Sequence, residues 1–211
     1  KVVAREGAIP QTLGYQNLIN TSTGITGLVL NVDNLASLGL TAADFVFQMS
    51  PQSDFNEVGN PPGNWQSAPT PNSITLTAGS PSSILLQWPN NAIQNRWLRV
   101  TMLANSNTGL QQDEVFYIGH LLGETTGETG GIYTVSFGDI APIRSAIGST
   151  VDASSHVDID KNGSVSFSDI SAMRANIGQS LRNITIPAAS AGGSGGGGGG
   201  SSQLIPSDRS G

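Results

Sequence analysis

Short apolar runs, most of them rich in β-branched and aromatic residues, recur along residues 1 to about 118. They are GITGLVLNV (24–32), DFVFQMS (44–50), SITLT (73–77), SSILLQW (82–88), RWLRVTML (96–103) and EVFYIG (114–119). Clusters of Pro, Asn and Gly separate them, as is typical of turns between strands. Side chains in 97–103 alternate, so that Trp97 and Arg99 share one face and Leu98 and Val100 share the other. The pattern predicts a mainly β fold whose residues 1–118 form a β-sandwich, jelly-roll or immunoglobulin-like.

The pattern changes after residue 118, where the chain contains an internal repeat. YTVSFGDIAPIRSAIGSTV (133–151) aligns with GSVSFSDISAMRANIGQSL (163–181) at an offset of 30. Eight of the seventeen positions between 135–151 and 165–181 are identical. This match indicates a duplicated unit of loop and helix over residues 119–185.

Each copy of the repeat predicts one short helix. Apolar residues recur at helical spacing in both copies, at Ile140, Ile143 and Ile147, and at Ile170, Met173 and Ile177. Gly148 and Gly178 follow where a left-handed helix stop is expected. Helices of about ten residues are marginal alone, so we expect the two to pack together.

Charge is scarce in this chain and concentrated in one segment. Charged residues make up 11 % of the sequence and cysteine is absent, which excludes thiolate metal sites and disulfides. Residues 113–169 nevertheless hold nine of the fifteen acids and two basic residues, which gives that segment a net charge of -7. The absence of a basic face argues against a nucleic-acid partner, and no apolar run is long enough to span a membrane. The local acidity indicates a binding site.

The sharpest motif in the acidic segment is VDIDKNGSVSFSDI, residues 157–170. Its oxygen-bearing side chains fall at positions 1, 3, 5, 7, 9 and 12 of a cation loop, namely Asp158, Asp160, Asn162, Ser164, Ser166 and Asp169. Gly163 at position 6 allows a sharp turn, and Val165 is expected to point inward and pair with the other loop. Such an oxygen cage favours Ca²⁺, whereas the alternative is a solvated turn rich in Asp and Asn.

The first repeat has a degenerate version of the same loop. Counting back from Asp139 at position 12 puts Glu128 at position 1, and Gly130 and Ile132 offer no side-chain ligand. We therefore expect a longer, irregular loop in which acids fold back as ligands. The candidate ligands are Glu124, Glu128, Thr134, Ser136 and Asp139. The alternative is a metal-free loop that keeps Asp139 only as a helix cap.

With these residues in view, 133–181 resembles a type I dockerin, a pair of Ca²⁺-loop and helix repeats. The stretch NRWLRVTMLANSNTGLQQDEVFYIGHLLGET (95–125) is similar to a junction in secreted planctomycete surface proteins, where a β-sandwich precedes a dockerin-like pair. The resemblance implies a secreted or cell-surface protein with no enzymatic activity in this part. It also implies that a cohesin-like partner would contact Phe137 and Phe167, although both could instead pack against the β-sandwich.

The leading functional hypothesis is an extracellular, calcium-stabilised structural module that forms a filament or matrix with copies of itself. One alternative is a dockerin-type adaptor for a cohesin-like partner, and another is a carbohydrate-binding module that stacks sugars on Trp65, Trp88 or Trp97. Enzymatic activity is not expected, because no nucleophile elbow or phosphate-binding loop accompanies the lone histidines. The sequence starts at Lys1 without a signal peptide, which predicts a processed form or a fragment.

Two terminal segments are candidates for contacts between copies. Residues 1–20 could cross to a neighbouring molecule as an added strand. Residues 186–211 form a Gly/Ser-rich tail that includes six consecutive glycines, and we expect neighbouring molecules to hold it.

Overall fold

The computed structural model describes residues 1–189 and contains short strands and two short helices. The elements are β1 (Ala4–Arg5), β2 (Gln11–Thr12), β3 (Leu18–Ile19), β4 (Gly27–Val32), β5 (Phe45–Met49), β6 (Gln66–Ser67), β7 (Ser73–Thr77), β8 (Ser82–Gln87), β9 (Arg96–Met102), β10 (Glu114–His120), β11 (Ile132–Thr134), α1 (Ile140–Ala146), α2 (Phe167–Arg174), β12 (Ser180–Arg182) and β13 (Thr185–Ile186). The mainly β fold with a small helical part is confirmed, and each apolar run that predicted a strand contains one.

The sandwich consists of a six-stranded sheet packed against a three-stranded one. The larger sheet has the order β1-β10-β9-β5-β6, with β3 paired to β10 in parallel, and the smaller has the order β4-β8-β7. Alternate residues of β9 and β10 meet β4 and β8 in a shared core that includes Leu30, Ile84, Leu98, Val100 and Phe116. The alternation seen in the sequence therefore buries one complete face of β9.

The opposite face of the six-stranded sheet is also covered. Trp97, Val115 and Tyr117 point to this side and pack with residues of both repeats, such as Tyr133 and Met173. The six-stranded sheet is therefore a middle layer, with the small sheet on one side and the two repeats on the other. The boundary predicted at residue 118 lies within β10, so the two predicted regions share a strand and a core.

The N-terminal segment pairs within its own chain. β1 is antiparallel to β10, and β2 is antiparallel to β13. The described part of the predicted tail is also bound, because Ile186 lies in β13 and the Ala189 N–H donates to the Gly7 carbonyl at 2.8 Å. The rest of that tail lies outside the described residues, as does the expectation that neighbouring molecules hold it.

The two repeats bind each other reciprocally. After α1, the Gly148 N–H donates to the Val165 carbonyl, and after α2 the Gly178 N–H donates to the Val135 carbonyl, both at 2.9 Å. Each post-helix segment thus pairs with the loop of the other repeat. Val165 points inward as expected and is 1 % exposed, but its N–H donates to the Ser149 carbonyl in the segment after α1 and not to the first loop.

The helix stops follow the sequence prediction. Gly148 and Gly178 have φ angles of +87° and +88°, the left-handed conformation that glycine adopts most readily. The helices themselves have seven and eight residues, fewer than the expected ten.

The three tryptophans belong to the core. Trp65, Trp88 and Trp97 are 5 %, 3 % and 0 % exposed, and each indole N–H donates to a backbone carbonyl. Their rings offer no open face on which a sugar could stack, so the carbohydrate-binding alternative loses the residues on which it was based. Within residues 1–189, neither helix has the length and apolarity that crossing a membrane requires.

Candidate metal centre

The second loop, residues 158–169, brings three carboxylates together. One oxygen each from Asp158, Asp160 and Asp169 lies within 4.8 Å of the others. Asp158 and Asp169 are fully buried, and Asp160 is partly buried. The residues that the sequence assigned to positions 1, 3 and 12 therefore converge on one point.

Tight backbone turns give the second loop its shape. Lys161 and Gly163 have φ angles of +59° and +86°, so the chain reverses at the position where the sequence predicted a turn. The Gly163 N–H donates to Asp158 Oδ2 at 3.0 Å. Asn162 Oδ1 accepts from the N–H of Ser164 at 2.9 Å, on the exposed side of the loop.

Asp169 ties the loop to the start of α2. Its Oδ1 accepts from the N–H groups of Ile159 and Asp160 at 2.7 and 3.2 Å, and its Oδ2 accepts from the Ser166 N–H at 2.8 Å. The Ser166 hydroxyl in turn accepts from the Ser168 N–H, which completes a capping box. These bonds fix the position-12 carboxylate facing Asp158.

The first loop, residues 124–139, follows the same plan. Asp139 Oδ1 accepts from the Thr125 N–H at 2.7 Å, and its Oδ2 accepts from the Ser136 N–H at 2.8 Å. Thr125 therefore corresponds to Ile159 of the second loop, and the residue before it, Glu124, corresponds to Asp158. The counting that put Glu128 at position 1 is wrong, because this loop has sixteen residues against twelve in the second.

The other predicted ligands of the first loop lie further out. Glu128 is exposed near the loop tip, where its Oε2 accepts from the Gly131 N–H. Thr134 is exposed at the end of β11, opposite Ser180 of β12. The structure thus brings Glu124 and Asp139 together and leaves Glu128 and Thr134 at the loop surface.

Thr126 is a site residue that the sequence analysis missed. Its hydroxyl lies 3.2 Å from both Glu124 Oε1 and Asp139 Oδ1, where it can donate to either carboxylate. The signal was the Thr-Thr pair directly after Glu124 in GETTGETGG. A fixed twelve-residue count conceals it, because the four extra residues follow this pair.

Two unpaired atoms mark equivalent points in the loops. Among residues 1–189, the buried carboxylate oxygens without a hydrogen-bond partner are Glu124 Oε2 and Asp158 Oδ1. Each belongs to a fully buried side chain at the first position of its loop. A buried carboxylate oxygen without a partner is costly, and a bound cation would compensate it. The residues therefore fit a divalent cation in each loop.

The electrostatics of both loops reflect this uncompensated charge. Burial, together with the neighbouring Asp139 carboxylate, raises the pKa of Glu124 to about 7, against the lowering effect of the Gly127 and Thr126 N–H groups. Burial also raises the pKa of Asp158, and the Asp169 carboxylate contributes in the same direction. Oxygen donors of this kind suit hard cations.

Comparison with known proteins identifies no relative. No protein-family model matches the chain, and neither a curated protein nor a solved structure matches it. The interpretation of the site therefore depends on its geometry and on the residues of the two loops.

Phe137 and Phe167 lie on the surface of the repeats. Both are 73 % exposed, although they occupy equivalent positions at the start of the helical segments. The alternative that they pack against the β-sandwich is wrong. An exposed aromatic ring repeated at the same position in both units is available for contact with another molecule.

The two histidines lie in different environments. His120 is fully buried, its Nδ1 accepts from the Asn95 N–H at 3.0 Å, and its Nε2 lies 2.8 Å from the Thr21 carbonyl. Both ring nitrogens are thus occupied by backbone partners, and burial lowers its pKa to about 4. His156 is exposed beside the second loop, with its ring edge-on to Tyr15.

Proposed function

We propose that this chain is a calcium-stabilised structural module of a secreted or cell-surface protein, and that it assembles with copies of itself. The observation that carries the calcium part is the pair of unpartnered, fully buried carboxylate oxygens on Glu124 and Asp158. Each faces a second buried carboxylate, Asp139 or Asp169, across its loop. A cation bound between the two carboxylates of each pair would compensate their charge.

The donor set favours calcium over other cations. The sequence contains no cysteine, and the converging groups in the second loop are carboxylates, which suit hard cations. Loops that supply ligands from several points along the backbone suit the six to eight ligands of Ca²⁺ better than the rigid, partly hydrated octahedron of Mg²⁺. In the first loop, Thr126 adds a hydroxyl oxygen to the two carboxylates.

The module uses the cation to hold helices that are too short to be stable alone. Binding to the folded state stabilises it by about 3–4 kcal/mol when Ca²⁺ is present at 100 to 1,000 times its dissociation constant. In a protein without disulfides, such a clamp replaces covalent staples in the loop-rich part.

Two features of the protein surface support the proposed self-assembly, namely its charge and its exposed aromatic side chains. Charged residues are 11 % of the chain, and bound Ca²⁺ would offset part of the net charge of -7 in the segment that contains Phe137 and Phe167. Phe137 and Phe167 offer two exposed aromatic rings at positions related by the internal repeat. The support for a secreted location is the resemblance to dockerin-like surface modules.

Calcium titration tests the first part. After dialysis against EGTA, calorimetry is expected to show Ca²⁺ binding, and the melting temperature should rise by roughly 10 °C in saturating Ca²⁺. The double variant Asp139→Asn, Asp169→Asn should lose both effects. Absence of binding by the wild-type chain, or an unchanged melting temperature, would remove the calcium role.

Electron microscopy with and without Ca²⁺ tests the second part. The wild-type chain should form ordered polymers in Ca²⁺, and the variant Phe137→Ser, Phe167→Ser should not. Val58→Ser is the matched control, because Val58 is an apolar side chain that is 91 % exposed elsewhere on the surface. A wild-type chain that stays monomeric in Ca²⁺ would refute self-assembly and favour the adaptor, which a pull-down with cohesin domains then tests.

A further inference from the structure

One side chain from the N-terminal part of the chain bridges the two repeats. Asn20, which follows β3, is 2 % exposed. Its amide nitrogen donates to the Glu124 carbonyl and to the His156 carbonyl, each at 2.7 Å. Glu124 is the first residue of the first loop. His156 lies two residues before Asp158, which is the first residue of the second loop. The two hydrogens of one amide group thus bind both loops at their starting points.

Neighbouring residues of the same segment strengthen this contact. The Tyr15 hydroxyl donates to the Glu124 carbonyl at 2.9 Å, and the Ser22 N–H donates to the Ile159 carbonyl at 2.8 Å. The Gly123 N–H donates back to the Asn20 carbonyl at 3.0 Å. Residues 15–22, the docking segment, therefore contact both loops through backbone groups beside the position-1 ligands.

We propose that Asn20 is a positioning residue for both cation sites, and that cation binding and the seating of the docking segment stabilise each other. The inference rests on the proposed cation sites and deepens them by naming what couples them. Glu124 and Asp158 each hold a carboxylate oxygen with no partner, so the position of their backbone sets where those oxygens point. Hydrogen bonds behind metal ligands commonly set affinity in this way.

The coupling must act in both directions. If a seated segment 15–22 favours cation binding, a bound cation favours the seated segment by the same free energy. Loss of the cation should therefore loosen residues 15–22.

Asn17 provides a matched control for Asn20. It lies in the same segment, is also 2 % exposed, and its amide nitrogen donates to a backbone carbonyl, that of Val2, at 2.9 Å. Its side-chain oxygen accepts from the Gly14 N–H, so within residues 1–189 both ends of its amide group hydrogen-bond to the N-terminal segment and not to the loops. Loss of either amide should therefore cost similar stability, but only Asn20 should affect the cation sites.

The experiment compares Ca²⁺ affinity in the full chain by calorimetry. Asn20→Ala is expected to weaken Ca²⁺ binding about 10-fold or more, whereas Asn17→Ala should change it less than about threefold. Equal affinities in the two variants would overturn the inference. If Asn20→Ala does not fold, hydrogen exchange of the wild-type chain decides the question.

In that second measurement, exchange in residues 15–22 is compared in Ca²⁺ and in EGTA without denaturant. We expect EGTA to speed exchange in the docking segment, and an unchanged exchange rate there would contradict the coupling. Failure of the wild-type chain to bind Ca²⁺ would instead refute the proposed function. Binding by the wild type with unaltered affinity in Asn20→Ala refutes only the role of Asn20.

Discussion

Among residues 1–189, three aspartates each complete a capping box of the same kind. Asp44, Asp139 and Asp169 each accept an N–H three residues earlier at 2.8 Å, from Thr41, Ser136 and Ser166 respectively. All three are buried. Asp139 and Asp169 also lie in the candidate cation loops, whereas Asp44 binds the side-chain amides of two asparagines. A comparison of Asp44 with Asp169 therefore separates capping from cation binding.

Asp169→Asn should destabilise the protein in a calcium-dependent way. In EGTA the loss is that of a cap and of hydrogen bonds to a charged acceptor, about 1–3 kcal/mol. In Ca²⁺ the loss should be larger, because the second loop also loses a charged ligand. Urea unfolding of wild type and variant in each buffer measures both losses. Asp44→Asn should lose equal stability in the two buffers, and the same equality in Asp169→Asn would contradict its role as a ligand.

His120 makes stability depend on pH. Its folded-state pKa is lowered to about 4 by burial, below the ordinary value of 6.5. Above pH 6.5 the ring is neutral in both the folded and the unfolded state, so its protonation does not affect the free energy of unfolding. As pH falls from 6.5 towards 4, the unfolded chain binds a proton that the folded chain does not, so stability decreases by up to about 3 kcal/mol.

The variant His120→Gln should remove this dependence. Urea unfolding between pH 7 and pH 5, at constant Ca²⁺, is expected to show a smaller decrease for His120→Gln than for wild type, although the variant starts from lower stability. His156→Gln is the control, because that ring is exposed and should leave most of the wild-type slope unchanged. A variant with the full wild-type slope would show that another group is responsible.

At the scale of elements, the sequence predicts what depends on local periodicity and misses what depends on contacts between distant segments. The main strands and the duplicated helices follow from alternation and from helical spacing. The strands β1, β2 and β3 have two residues each, too few to show alternation in the sequence. They are strands because they pair with the distant strands β10 and β13. A twelve-residue count fails for the first loop for a similar reason, since its length of sixteen residues is set by how the chain returns to Asp139.

Gly123 shows how closely two distant elements approach. It follows β10 with a φ angle of +84°, and a β-carbon added there would lie 2.7 Å from Met173 Cγ and 2.9 Å from Met173 Cα in α2. Gly178 has a similar φ angle of +88°, but no atom lies within 4 Å of such a carbon. Substituting alanine at each glycine therefore distinguishes two costs. Both positions have the backbone strain of a positive φ angle, but only position 123 also has the steric contact with α2.

Gly178→Ala should cost about 1 kcal/mol, the price of placing alanine in the left-handed region. Gly123→Ala should cost about 3 kcal/mol, because the methyl group also pushes against the backbone of α2. Urea unfolding in saturating Ca²⁺ measures both. Equal losses in the two variants would show that α2 can move away from β10 without cost.

At the scale of the molecule, the middle sheet connects parts that the sequence analysis separated. A division at residue 118 follows from the change of periodicity, but β9 and β10 carry apolar residues on both faces. Leu98 and Ile118 belong to the core of the sandwich, and Trp97 and Tyr117 belong to the core shared with the repeats. An isolated sandwich would expose that second face, so its stability is linked to the repeats that cover it.

This shared sheet predicts that calcium stabilises the sandwich as well as the loops. Pulsed hydrogen exchange along a urea gradient can follow β8, which belongs to the small sheet, and α2, which belongs to the repeats. Both should unfold at the same urea concentration, because unfolding the repeats exposes one face of β9 and β10 to solvent. Saturating Ca²⁺ should therefore raise the urea midpoint of both by the same amount. If Ca²⁺ shifted α2 and left β8 unmoved, the repeats would be a separately folding unit. The cation would then clamp its own loops without holding the three layers together.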